Sequence, residues 1–226
     1  VTPVGGYSTP LTLMALTFPV KATANGAPAA AENLQTEFKE GSLTGKLKFN
    51  VPTKKFDGSA LTGNVDYIIY ANSAEVSKGK AEAGKEVSTD LTVNEGMVNF
   101  IVVLSNEAGD GPRAKHSMYA GNDSPKAVDN LKLTLDENGH ATVTWEAPKE
   151  GVHKGYIGQL TYDVFRNVGG TSEKVSSGQT ATEFSETLTK GKLSSYSYSV
   201  QAINSTKKSD LATTNGETYG NAMEVP

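Results

Sequence analysis

Few residues of this chain have both the type and the spacing that chemistry needs. Gly79-Lys80-Ala81-Glu82-Ala83-Gly84-Lys85 has the spacing of a phosphate-binding loop, in which backbone amides cradle phosphate and a following Ser or Thr holds magnesium. Glu86 stands at that following position, where a carboxylate repels phosphate, and no helical period follows to lend its dipole. The segment reads as a charged hairpin. A zinc site takes three or four converging ligands. The chain has no cysteine, and its three histidines fall in a last strand (His116), after a hairpin turn (His140) and in a loop (His153). All three read as surface residues. Asp136-Glu137-Asn138-Gly139 lacks the downstream ligands of a calcium loop and reads as a turn. No Ser, His and Asp arrangement carries a nucleophile elbow. The separation of two carboxylates, which glycoside hydrolysis depends on, is not visible in a sequence. No catalytic, metal-binding or cofactor-binding residue is assigned, and the chain reads as not an enzyme.

The aromatic residues are the remaining candidates. Trp145 alternates with Val143 and Ala141, which places it in a core. Phe56 in loop 53–64, and Tyr156 beside Gly155 and Gly158 in loop 149–159, are the candidate ligand-contacting aromatics, because long loops on a rigid scaffold carry recognition. There is no Arg-Gly-Asp triplet. Asn122-Asp123-Ser124 and Asn204-Ser205-Thr206 fit the glycosylation sequon, a pattern short enough to arise by chance.

The elements that position these residues must fit a chain of 226 residues, room for one large domain or two small ones. The net charge of −4 is scattered, whereas a nucleic-acid surface needs a basic stripe. No apolar run approaches the roughly 20 residues of a membrane span, so direct membrane insertion is not expected. The chain starts at Val1 with no signal peptide and is expected to be a processed chain or an excised fragment.

The organising feature is a repeat. Ala31-Glu32-Asn33-Leu34 recurs as Val128-Asp129-Asn130-Leu131, and Leu47-Lys48-Phe49-Asn50-Val51-Pro52 as Val143-Thr144-Trp145-Glu146-Ala147-Pro148. The run Val65 to Asn72 recurs as Leu160 to Asn167, and Phe100 to Asn106 as Tyr198 to Asn204. The offset is about 96 residues throughout, too long for a solenoid and right for a sandwich module. Within each copy apolar and polar residues alternate, as in antiparallel strands with one face in a core. Asp57-Gly58, Asn94-Glu95-Gly96, Asn138-Gly139 and Gly169-Gly170 mark turns, with Asn138-Gly139 expected to close a tight hairpin. No sustained helical period occurs, so the fold class is all-β. Gly121-Asn122-Asp123-Ser124-Pro125 reads as the boundary, and so short a linker argues against free tumbling. The organisation is an apolar N-terminal segment (1–27), a first module (28–121) and a second (122–226).

These residues resemble fibronectin type III domains, immunoglobulin-like β-sandwiches, over about residues 28–219. Pro125 with Val128 and Leu131 looks like the opening strand, Val143 to Pro148 like the second strand with its core tryptophan, and Tyr196 to Asn204 like the sixth. The resemblance implies a tyrosine corner at Tyr196, its hydroxyl bonding backbone between Leu188 and Lys192. The first module departs from the family, with Phe49 for the tryptophan and Val98 for the corner tyrosine. Loops 53–64 and 149–159, one in each module, are long for the family and look like those of tandem modules in large bacterial secreted and surface proteins. The implied function is a non-catalytic adhesion or spacer pair in an extracellular or cell-surface protein. The alternative is a glycan- or protein-ligand-binding module using the two long loops. Partners would be neighbouring domains of the parent and an extracellular protein or glycan, with no nucleic acid and no cofactor.

Alternation carries one further expectation. If Val98, Phe100, Val102 and Leu104 face the core, Ile101 and Val103 face outward, and the same logic in Val65 to Tyr70 turns out Ile68 and Tyr70. These four should form an apolar contact patch, with Leu11 to Phe18 as a strand or extended arm that packs on it; the alternative is that the segment is the last strand of an upstream module and the patch meets another chain or domain. The matching positions of the second module are much more polar.

Overall fold

The alternating runs form antiparallel strands throughout the described residues, which are 23–222 of the computed structural model. Leu11 to Phe18, the expected covering arm, lies outside them. The first module contains β1 (Glu32–Phe38), β2 (Thr44–Asn50), β3 (Asn64–Ala71), β4 (Ala74–Glu82), β5 (Glu86–Thr92), β6 (Gly96–Asn106), β7 (Gly109–Asp110) and β8 (Ala114–Ala120). The second contains β9 (Asp129–Leu135), β10 (His140–Glu146), β11 (Thr161–Val168), β12 (Thr171–Gln179), β13 (Glu183–Thr187), β14 (Ser194–Asn204), β15 (Lys207–Lys208), β16 (Ala212–Thr213) and β17 (Glu217–Tyr219). In the first, a sheet ordered β1-β2-β5 faces one ordered β4-β3-β6, with β7 and β8 also on β6. The second repeats this as β9-β10-β13 against β12-β11-β14. Its last strand is broken into β16 and β17, where β8 is continuous.

Alternation sets which side chains fill each core. Val98, Phe100, Val102 and Leu104 of β6 are buried with Leu47 and Phe49 of β2. Val143 and Trp145 of β10 are buried with Tyr198, Val200 and Ala202 of β14. Each such side chain contributes about 1.5–3 kcal/mol on leaving water. An edge-on aromatic pair recurs at the same place. The rings of Phe49 and Tyr67 are 5.6 Å apart at 74°, and those of Trp145 and Tyr162 are 5.4 Å apart at 67°. Trp145 is buried as its alternation requires, but its indole N–H has no partner among the described residues.

The hairpins follow local chemistry. At Asp136-Glu137-Asn138-Gly139 the Asp136 carboxylate accepts from the amides of Asn138 (2.9 Å) and His140 (2.8 Å), and Gly139 takes a φ of +82°. The segment with phosphate-loop spacing runs from the end of β4 through the Gly84 turn into β5, with no helix.

The expected tyrosine corner is not formed. Tyr196 faces inward on β14, but its hydroxyl makes no hydrogen bond among the described residues. The backbone it was to clamp is already engaged. Leu188 N donates to Gly139 O, Leu193 N to Asn221 O, and Asn221 N to Gly191 O. The Tyr219 ring packs against Gly139 in the same place. The tyrosine that does anchor the strand is Tyr198, whose hydroxyl donates to Glu186 Oε1 at 2.6 Å.

Candidate functional site

The densest polar construction in the described residues lies where β8 passes into the second module. It is built on Asp123, which is 0% exposed. A buried carboxylate persists only when its lone pairs are filled. Here Oδ1 accepts from Ser124 N (2.8 Å) and His153 Nδ1 (2.9 Å), and Oδ2 from His153 N (2.7 Å) and Gly155 N (3.0 Å). Burial pushes the Asp123 carboxyl up, but the His153 ring and the three amides outweigh it and hold the group below its ordinary value. The linker thereby fastens loop 149–159. Asp123 N also donates to Tyr156 O (2.7 Å), and Asn204 Nδ2 to Asp123 O (2.9 Å).

Two glycines make the approach feasible. A Cβ on Gly151 would sit 2.2 Å from Asp123 Oδ2, and one on Gly155 would sit 2.7 Å from the Tyr119 ring. Both distances are too short for any larger residue.

The clamp extends into the first module through Lys207, at the β14–β15 turn. Its ammonium donates to the Tyr119 hydroxyl (2.9 Å), to Asn122 O and to the Glu95 carboxylate, and lies 5.2 Å from the Tyr119 ring centroid. Burial lowers the Lys207 ammonium, but Glu95 and Tyr119 together hold it above its ordinary value. The Tyr119 ring also stacks on the His153 ring, at 5.1 Å and 11°. Beside this clamp runs a cleft of about 470 Å³ with walls from both modules. Tyr156 lines it, with its ring against Gly41 of the first module.

The sequence-predicted residues are distributed as follows. Ile68 lies opposite Val103, and Tyr70 opposite Ile101, on the outer face of the β3–β6 pair. All four are half-buried. At the matching positions of the second module, Asp163 accepts from Lys174 (2.5 Å), Ser177 (3.1 Å) and Gly178 N (3.0 Å), while Asn167 and Thr213 bond Ser199. Phe56 and Tyr156 are not brought together. Phe56 is 50% exposed in a loop held by Ala27 at the far end of the first module. Tyr156 is at the junction. His116 meets Thr36 Oγ1 at 3.0 Å. Among the described residues no three His, Asp or Glu side chains converge to hold a metal ion.

Sequence reasoning missed Asp123, Lys207 and Glu95, and read His153 only as a surface residue. The available signal was an acid two residues before Pro125 combined with the closely spaced Gly151, Gly155 and Gly158.

No family model matches the chain, and no curated protein matches it. Among solved structures, the chain is similar to the first to third fibronectin type III domains of chicken CNTN1, at 13% identity and a TM-score of 0.37, covering 88% of this chain and 69% of that one. It is also similar to a two-domain fibronectin type III segment of chicken tenascin, at 13% identity and a TM-score of 0.36, covering 84% of this chain and 99% of that one. The chain is an all-β protein of two consecutive immunoglobulin-like sandwiches, with the same strand order repeated from the first module to the second.

Proposed function

We propose that the chain is a non-catalytic spacer or adhesion unit of a larger extracellular or cell-surface protein, in which the two sandwiches act as one stiff body. The junction carries this reading. Asp123 contributes a buried carboxylate with four donors to fixing the linker, and Lys207 joins the second module to two groups of the first, Tyr119 and Glu95, and to the linker at Asn122 O. Modules that merely share a chain need none of these groups. Bending that opened the junction would break the bonds of Lys207 to Tyr119 and Glu95 and unstack the His153 ring from Tyr119.

Amide relaxation tests the reading. Both modules should report one rotational correlation time, and the Lys207→Ala/Asp123→Ala protein should report two shorter ones. Independent tumbling of the modules in the unaltered chain would sink the spacer role. The alternative, a module that binds a glycan or protein ligand, draws its support from the cleft at the junction.

A further inference from the structure

The geometry points to a binding site for a short acidic oligosaccharide in the cleft between the two sandwiches. Ligand sites favour domain interfaces and occupy roughly 300–1,000 Å³. The cleft, at about 470 Å³, meets both conditions. Its charge sets the sign of the ligand. Lys39, Lys149 and Lys154 line it, all exposed, and none is in an ion pair among the described residues. Two acids line it as well, Glu40 and Glu150. Glu150 is bonded to Lys126, which lies outside the cleft, and that bond is the main reason its carboxyl sits below the ordinary value. Three cations outside any ion pair therefore face one unpaired acid, Glu40, with Lys154 also close enough to Glu150 to help hold its carboxyl down.

The shape sets the ligand class. Gly41, Gly121, Gly155 and Gly158 line the cleft and contribute no side chains. The Tyr156 ring is 40% exposed and is held in place against Gly41. A smooth backbone floor and a fixed aromatic body suit a flat, rigid pyranose ring. Lys154 has a φ of +61°, an unusual backbone for a lysine, and the same turn places the Gly155 amide on Asp123. The clamp at the junction thus also fixes the backbone that carries one of the three cations.

The larger hollow, about 630 Å³ on the outer side of β1-β2-β5, is less suited to such a ligand. Its Lys46 is paired with Asp90 and its Glu37 with Lys48, so its charges are largely cancelled.

Titration of the intact chain with trigalacturonate, its uncharged methyl ester and a hexaglutamate peptide, followed by amide shifts, tests the site. Trigalacturonate should bind weakly, moving the amides of Lys39, Gly41, Tyr156 and Gly158, while the ester should not. Lys39→Ala and Lys149→Ala, at exposed positions that leave the fold intact, should each weaken binding roughly tenfold, the equivalent of one charge-assisted hydrogen bond. Four results would overturn the site: no shifts at several millimolar, equal binding of acid and ester, shifts confined to other surfaces, or hexaglutamate outcompeting the sugar. None of these bears on the stiffness of the junction, which relaxation reads separately.

Discussion

At one end of each sandwich the third, fifth and sixth strands of the repeat place three inward side chains together. In the first module these are Ala71, Leu91 and Phe100, all buried and apolar. In the second the same positions hold Arg166, Glu186 and Tyr198. Arg166 opposes Tyr198 as Ala71 opposes Phe100, and Ala141 opposes Glu186 as Gly45 opposes Leu91. Arg166 bonds Glu186 and Glu173, each at 2.6 Å, and Tyr198 bonds Glu186 at 2.6 Å. Burial, and then the Glu186 carboxylate, push the Tyr198 phenol far above its ordinary value. One backbone therefore accepts either an apolar plug or an ionic one, provided all three positions change together. A buried ion pair is not of itself stabilising relative to apolar residues of similar volume, whereas half of one is costly.

A second difference between the modules gives the largest expected effect. Trp145 and Phe49 occupy the same place in the two aromatic pairs, but only Trp145 carries an N–H without a partner. Trp145→Ala should cost about 3–5 kcal/mol, as for other large core truncations. Trp145→Phe imports the first module's residue, removes the unpartnered donor and should cost clearly less than the Ala variant. Denaturant unfolding followed by circular dichroism decides between them. Equal costs for the two variants would mean that a phenyl ring cannot take over the indole's packing, and that the two aromatic pairs are not interchangeable.

The ionic plug comes next. Glu186→Ala leaves the Arg166 guanidinium and the Tyr198 hydroxyl without their shared acceptor and should cost about 2 kcal/mol, the desolvation penalty of such groups. The triple change Arg166→Ala, Tyr198→Phe and Glu186→Leu, which copies the first module, should sit within about 1 kcal/mol of the unaltered protein. A triple variant less stable than Glu186→Ala would show that the network contributes net stability.

Acid should separate the modules as well. Asp123 and Asp163 are both buried in the second module, and both are held below the ordinary 3.8 by hydrogen bonds that outweigh burial. Their contribution is complete above the unfolded value and is lost as pH falls through the lower folded value. Among the described residues, the first module has no acid that is both buried and lowered. The second module should therefore unfold first as pH falls below the ordinary carboxylate value of 3.8. The chain's one tryptophan, Trp145, belongs to the second module and reports this directly. A first module that unfolds before the tryptophan signal changes would contradict the assignment.

Much of this comparison was legible in the sequence, because period two fixes the face of every residue in a strand. The pairing of Ile68 with Val103 follows from alternation once the two strands are neighbours. The same rule places Arg166 on the inward face with Tyr198, but its charge partner Glu186 comes from β13, whose pairing no local period encodes. The junction was not legible. Asp123 and His153 are 30 residues apart, and Lys207 reaches Asn122 across 85. Such contacts depend on how the loops at one end of a sandwich come together, and no local period encodes that.

The smallest expected effect concerns the tyrosine that the family resemblance pointed to. Alternation cannot separate Tyr196 from Tyr198, since both face inward on β14. The structure separates them by partner. Tyr198 is 0% exposed and bonds a carboxylate, so Tyr198→Phe should cost about 1.5–3 kcal/mol, the value of a hydrogen bond to a charged group. The Tyr196 hydroxyl has no partner among the described residues, and removing it leaves no donor or acceptor stranded. Tyr196→Phe should therefore move the unfolding free energy by less than about 0.5 kcal/mol, as for other changes that touch no buried contact. The first module has already made both changes, with Val98 in place of Tyr196 and Phe100 in place of Tyr198, and its β6 still buries both side chains. Equilibrium unfolding of the two single variants gives the order. If Tyr196→Phe proved the costlier of the two, the corner bond would exist in solution, and the engaged backbone from Leu188 to Leu193 would have to open to accept it.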